Sequence, residues 1–267
     1  MMKRFRFVAI ILLLTASGQW AISQSNPSGN VVKVLSFNIL HGATTRGDFD
    51  LDRIAQVIKD TDPDLVALQE VDFLTNRARK YDLVTELGWR TKMAPLFARA
   101  MPYDGGEYGE GVLSKTSFLS SRNVALPFTP GNEPRSAAEI TTVLASGDTI
   151  SFVGTHLDHL RDETDRISQA QRINEVFSRN AYPTIMAGDL NATPESKTIR
   201  ILEEIWTASY DKNDPAPTFP SENPNRKIDY VMFLPANRWR VVDTQVIADT
   251  IASDHCAYLV TLELLEK

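Results

Sequence analysis

The segment Thr184-Ile-Met-Ala-Gly-Asp-Leu-Asn-Ala-Thr-Pro194 decides how the rest of the chain is read. Thr184 to Ala187 is a short apolar run beside turn residues, which reads as a buried strand. It ends at Gly188, whose backbone escapes the steric limits on other residues. Asp189 and Asn191 follow two residues apart, and strand alternation puts their side chains on one side. A carboxylate and a carboxamide presented together at a strand end suit a site handling a cation, a water and a phosphate. The same pair also serves in turns, where Asp and Asn bond their own backbone. This stretch alone does not separate the two readings.

Working outward, Thr164–Phe177 carries Ile167, Ala170, Ile173 and Phe177 at helical spacing, and a second helix is expected over Glu195–Ile205. Leu51–Lys59 is a third amphipathic helix, broken by Asp62-Pro63, and a shorter helical pattern lies at Leu83–Leu87. Strands are expected at 31–38, 65–68, 112–114, 124–126, 138–144, 149–156, 228–233, 239–247 and 255–262, with a hairpin turn at Gly147-Asp148. Residues 100–107 read as a polar loop at the rim, and 213–225, rich in Pro and Asn, as another loop. Strand runs interrupted by single helices point to an α/β (α+β) domain with two sheets packed together and helices outside.

Lys3, Arg4 and Arg6 precede an apolar run from Phe7 to Leu14, and Ala21-Ile22-Ser23 supplies small residues. This is the pattern of a signal peptide over residues 1–23, cleaved near Ser23/Gln24. The run is far shorter than the roughly 20 residues of a spanning helix. A flexible tail over 24–30 and one domain over 31–267 complete the organisation. Export implies a secreted or periplasmic protein without a transmembrane segment, read as a monomer. The chain carries a formal charge of −6, and loss of three basic residues with the leader moves it to −9. That balance disfavours non-specific nucleic-acid binding, which depends on Lys and Arg. Cys256 is the only cysteine, so no intrachain disulfide forms.

Polar residues recur at the ends of the expected strands: Asn38, Glu70, His156, Asp158, Asp189, Asn191, Asp229, Asp254 and His255. Singly, each has a structural explanation, such as a cap or a hydrogen-bonded core histidine. Together, acids and amides without a cysteine cluster match a hard, oxygen-liking cation such as Mg²⁺, with Mn²⁺ as substitute.

Seven short motifs occur in order: Leu35-Ser-Phe-Asn38, Leu68-Gln-Glu-Val71, Tyr108-Gly-Glu-Gly-Val-Leu-Ser114, Thr155-His-Leu157, Gly188-Asp-Leu-Asn191, Lys227-Ile-Asp-Tyr-Val231 and Ser253-Asp-His255. With them, the chain from Val31 to Leu262 resembles the endonuclease/exonuclease/phosphatase superfamily of deoxyribonuclease I-like enzymes. The resemblance implies a four-layer sandwich of two mixed β-sheets flanked by helices. It also implies metal-assisted attack of water on a phosphate ester. In that pattern Glu70 is the principal metal ligand, with Asn38 beside it and Asp254 placed for a second contact. Asp189 orients or deprotonates the water, Asn191 holds the phosphate or nucleophile, and His255, oriented by Asp229, bonds a phosphate oxygen. His156 is a second phosphate-facing histidine. His41, Arg77, Arg135, Asp158 and Arg161 are further substrate-binding candidates. Glu110 departs from the Asn or small residue found in many relatives.

Three outcomes stay open from the sequence. The leading one is an exported Mg²⁺-dependent phosphodiesterase acting on a lipid headgroup or small diester. A nuclease or an inositol- or sugar-phosphate monoesterase of the same family is the alternative. A non-catalytic binding protein on this fold is the reading from another class.

Overall fold

Alternation along β1 (Val31–Asn38) sets the layering. Val32 and Val34 point into one core, and Leu35 and Phe37 into another. A computed structural model describes residues 30–266. The expected leader at 1–23 and most of the tail lie outside the described residues.

The first sheet has the order β11 (Trp239–Ile247), β12 (Ala257–Leu264), β1, β2 (Leu65–Phe73), β4 (Gly106–Ser114), β3 (Ala94–Tyr103). The second has β5 (Phe118–Leu126), β6 (Arg135–Val143), β7 (Thr149–His156), β8 (Thr184–Asp189), β10 (Asp229–Leu234), β9 (Thr207–Ala208). Helices α1 (Leu51–Thr61) and α2 (Leu83–Thr91) cover the first sheet, and α3 (Thr164–Phe177) and α4 (Lys197–Leu202) the second. The result is the expected four layers. Between the sheets, Val34, Leu65, Ala67, Phe152, Ile185 and Val231 are almost entirely buried. Each fully buried large apolar side chain contributes on the order of 2 kcal/mol.

Three helices, α1, α2 and α4, begin where side-chain caps put them. Asp50 accepts from Arg53 N at 3.0 Å and Asp82 from Thr85 N at 3.1 Å. Ser196 accepts from Ile199 N, which starts α4 two residues later than expected.

Topology places the site. β1 and β2 run parallel across α1, and β7 and β8 run parallel across α3. All other pairs within the sheets are antiparallel. The carboxyl ends of these two central pairs lie on one rim, where open α/β sheets usually bind ligands. β10 and β12 run the other way, so their first residues reach the same rim, and Asp229 stands opposite Asp189.

Two expectations are corrected. Residues 100–107 are not a loop. They form the end of β3, the two-residue turn Asp104-Gly105, both with positive φ, and the start of β4. This is the hairpin geometry that Asp-Gly favours. β3 contains Pro95 and Pro102, which an edge strand tolerates. Gly188 is not needed for an unusual dihedral. A Cβ there would lie 2.1 Å from Thr155 O, so glycine lets β7 and β8 approach.

Candidate active site

A bulge opens the site. β2 pairs with β4 through Leu68 and Gly111, then resumes at Val71 and Gly109, so Gln69 and Glu70 together face Glu110. Glu70 has φ +56°, a left-handed backbone rare for a residue with a side chain. The bulge turns its carboxylate out of the ladder toward the rim. Asn38, fully buried at the end of β1, donates from Nδ2 to Glu70 Oε1 at 3.2 Å and to Asp189 Oδ2 at 3.3 Å. That amide thereby ties the two sheets together. His41 Nδ1 lies 3.4 Å from Glu70 Oε2. Burial works against the Glu70 charge, but these two neighbours hold its carboxyl below the ordinary range.

Asp189 does both things its sequence allowed. Oδ1 accepts from Asn191 N at 2.9 Å, closing a turn in which Asn191 has φ +48°. Oδ2 faces Asn38, with His156 Nε2 at 3.4 Å and His255 Nε2 at 3.6 Å. Asp189 and Asn191 therefore line one cavity through this turn rather than through strand alternation. Burial pushes the Asp189 carboxyl up, opposed by the nearby His255.

The two histidines are set for different charges. His255 Nδ1 sits 3.1 and 3.2 Å from the oxygens of fully buried Asp229. Burial disfavours the imidazolium, but Asp229 and Asp189 overcome it and push the ring up to about 10. His156 is the opposite case. Burial and the charge of Arg135 hold it well below the ordinary histidine range. A guanidinium only donates, so Arg135 Nη1, 3.0 Å away, makes His156 Nδ1 an acceptor and leaves the ring proton on Nε2. Asn191 Nδ2 lies 3.0 Å from that Nε2 but donates to Leu157 O, and the acceptor beside the ring proton is Asp189 Oδ2 at 3.4 Å.

These groups surround a cavity of 320 Å³. Of the thirteen residues singled out in the sequence, nine line it: His41, Glu70, Arg77, Arg135, His156, Asp189, Asn191, Asp254 and His255. Asn38 and Asp229 stand directly behind them. Asp158 and Arg161 do not line it. Asp158 is buried and shapes its loop by accepting from Leu160 N at 3.0 Å, and Arg161 borders a neighbouring space. Arg77 is clamped by Asp72 at 2.7 and 2.9 Å and lies over the Tyr103 ring. Its charge is matched before any substrate arrives.

Sequence reasoning missed the apolar wall. Met101, Tyr103 and Tyr108 come from the β3–β4 hairpin, and the Phe219 ring packs at a tilt of 50° against His255, centroids 4.6 Å apart. The Asp-Gly turn between those two strands was the signal that could have found it. Glu133 and His159 complete the lining. Glu110 is buried, neither of its oxygens has a partner, and burial pushes its carboxyl well above the ordinary range.

Asp189, Asp229 and His255 bring ligand-type atoms within 4.8 Å of one another. However, His255 Nδ1 already faces Asp229, so this trio reads better as an oriented histidine than as a cation cage. Glu70 and Asp254 offer carboxylate oxygens in the same cavity, and burial and the Glu70 charge push Asp254 up. Two carboxylates in one cavity, one of them raised by the charge of the other, are a donor set that a hard divalent cation fits.

Comparison with known proteins followed the same line. The model of the Endonuclease/Exonuclease/phosphatase family matches residues 35–255. Among solved structures, an endonuclease/exonuclease/phosphatase from Beutenbergia cavernae DSM 12333 superposes with a TM-score of 0.74 at 23% identity, covering 88% of this chain and 72% of that one. A mannosyl-6-phosphatase from Bacteroides thetaiotaomicron VPI-5482 gives 0.69 at 19%, covering 88% and 100%. The human Nocturnin catalytic domain with bound sulfate gives 0.69 at 17%, covering 88% and 95%. At these identities the structural likeness speaks for the fold.

Proposed function

Because the chain belongs to the endonuclease/exonuclease/phosphatase family and is a hydrolase of phosphoric esters, we propose that it is an exported, Mg²⁺-dependent phosphodiesterase for a lipid headgroup or another small diester. One observation carries the reading. Glu70 from the β2 bulge, His156 from the end of β7, Asp189 and Asn191 from the end of β8 and His255 just before β12 converge on a single 320 Å³ cavity with an aromatic wall. A space of that size and lining fits a small ester better than a nucleic-acid duplex, and the acidic net charge points the same way.

The residues divide the work. Asp189 accepts a proton at Oδ2 from the attacking water, which Asn191 holds in line with the phosphorus. His255, charged through Asp229, donates from Nε2 to a phosphoryl oxygen as negative charge builds there. His156 Nε2–H is a neutral donor beside the same Asp189 oxygen, 3.4 Å from Oδ2. Glu70 and Asp254, with Asn38 beside them, would hold Mg²⁺, whose bound charge neutralises the phosphate.

Export rests on the basic and apolar pattern of residues 1–23. No helix among the described residues is long and apolar enough to cross a membrane. A monomer is the proposed state. A second reading, a sugar-phosphate monoesterase, is favoured by the likeness to the mannosyl-6-phosphatase.

The test is hydrolysis by purified Gln24–Lys267 of a generic diester, a generic monoester, plasmid DNA, sphingomyelin micelles and an inositol polyphosphate, each with Mg²⁺ and with chelator. Chelator-sensitive diester or headgroup cleavage is expected. Cleavage confined to monoesters favours the second reading, and none at all, with Mn²⁺ also tried, points to a binding protein.

A further inference from the structure

We infer that a second anion-binding pocket adjoins the catalytic cavity, so that the substrate carries a second negative group besides the scissile phosphate; this rests on the phosphoesterase reading. A smaller cavity of 250 Å³ is bordered by His159, Arg161, Arg166, Asn191 and Arg226. His159 and Asn191 line both cavities, so the two spaces share a wall.

The charge in this space is one-sided. Three guanidiniums border it against one carboxylate, Glu163, in a chain of net charge −6. Arg161 and Arg226 are exposed, and neither forms an ion pair among the described residues. Arg226 instead lies over the Phe219 ring at 5.0 Å, and the same ring packs on His255 at 4.6 Å. One aromatic ring therefore connects this guanidinium to the catalytic histidine.

Arg166 is different, being only 5% exposed. Its Nη1 donates to Asp158 O at 2.9 Å and to Leu160 O, which fixes the side chain. Its Nε has no partner. The Asp158 carboxylate is 3.9 Å from Nη1, too far for a hydrogen bond. That Nε is itself buried, so Arg166 contributes a fixed positive charge to the wall. Its two exposed neighbours, outside any ion pair among the described residues, supply the planar donors that phosphate and carboxylate take. The shared wall sets the geometry, because an ester held by Asn191 directs one substituent past His159 toward these arginines. A phosphate or carboxylate on that substituent would be gripped there.

The experiment is calorimetric titration of the intact mature protein, with saturating Mg²⁺, using non-hydrolysable phosphonates. Alkylphosphonates are compared with α,ω-bisphosphonates of matched length, with spacers of two to six carbons. For at least one spacer the bisphosphonate should bind more than about tenfold tighter than its single-headed partner. In Arg161→Ala/Arg226→Ala, which changes only exposed side chains, that advantage should fall to about the twofold expected from having two heads. An equal advantage in the variant, no advantage in the unmodified protein, or no binding of either compound overturns the second pocket. The readout needs no turnover, so a protein inactive on every ester could still show the selective effect. An active one could equally lack it.

Discussion

Replacing Asp229 with Asn tests whether the charge on His255 depends on its neighbour. Both carboxylate oxygens lie 3.1–3.2 Å from Nδ1, so the amide oxygen can still accept that proton and the ring keeps its orientation. What disappears is a negative charge with no solvent access. At an effective dielectric of about 20, unit charges about 3 Å apart attract by about 5 kcal/mol. Raising a histidine from 6.5 to about 10 corresponds to about 5 kcal/mol as well. The net rise already includes the cost of burying the ring, so Asp229 and Asp189 together must outweigh that cost. Asp189 and Asp254 also favour the proton, so the variant keeps part of the effect, and the ring should titrate below about 8. The assay is kcat/KM on a phosphate ester from pH 6 to 10.5, with an NMR titration of the ring alongside. The unmodified enzyme should hold its rate to near pH 10. The variant should begin to fall well below that, with a further loss of about tenfold at pH 9. An unchanged basic limb in Asp229→Asn would refute the reasoning.

Heat stability is a poorer measure, because Lys227 works against it. The folded His255 is raised, so its contribution is full below 6.5 and fades as pH climbs to about 10. Burial pushes Lys227 down to about 7, opposed by Asp229, so the unfolded chain binds that proton more tightly between about 7 and 10.5. Stability rises with pH across that window, and the two slopes oppose each other.

Asp189→Asn should lower turnover by more than about a hundredfold with circular dichroism unchanged, since it removes the proton acceptor. Near-normal turnover would overturn its role. Glu70→Ala should raise the Mg²⁺ concentration for half-maximal activity by about tenfold or more. An identical metal titration would count against Glu70 as a ligand. Gly188→Ala should cost on the order of 2 kcal/mol or more in urea unfolding, because its Cβ has no room beside Thr155 O. An unshifted midpoint would mean that β7 and β8 separate freely.

Much of the fold was legible because burial and period coincide. The ends of β1, β7 and α3 fall where alternation and helical spacing put them. β3 was not legible, since its prolines and its edge position erase the alternation that marks a strand. Within the site, strand-end acids and histidines stand out because a sheet places them together on one rim. Phe219, Glu133 and His159 do not stand out, because only long-range packing brings their loops there. The bulge at Glu70 was hidden for another reason. It is a relation between β2 and β4, and neither strand shows it alone.

That bulge sets up an evolutionary asymmetry. A side chain held in the left-handed region costs about 1 kcal/mol relative to glycine, which accepts that backbone freely. If Glu70 holds the cation as proposed, its carboxylate is retained for chemistry against a small pull from folding. A descendant released from catalysis would have little to lose by drifting to glycine there, and its sandwich would remain intact. Glycine at this one position would then be the expected mark of a chain that kept the sandwich and lost the chemistry.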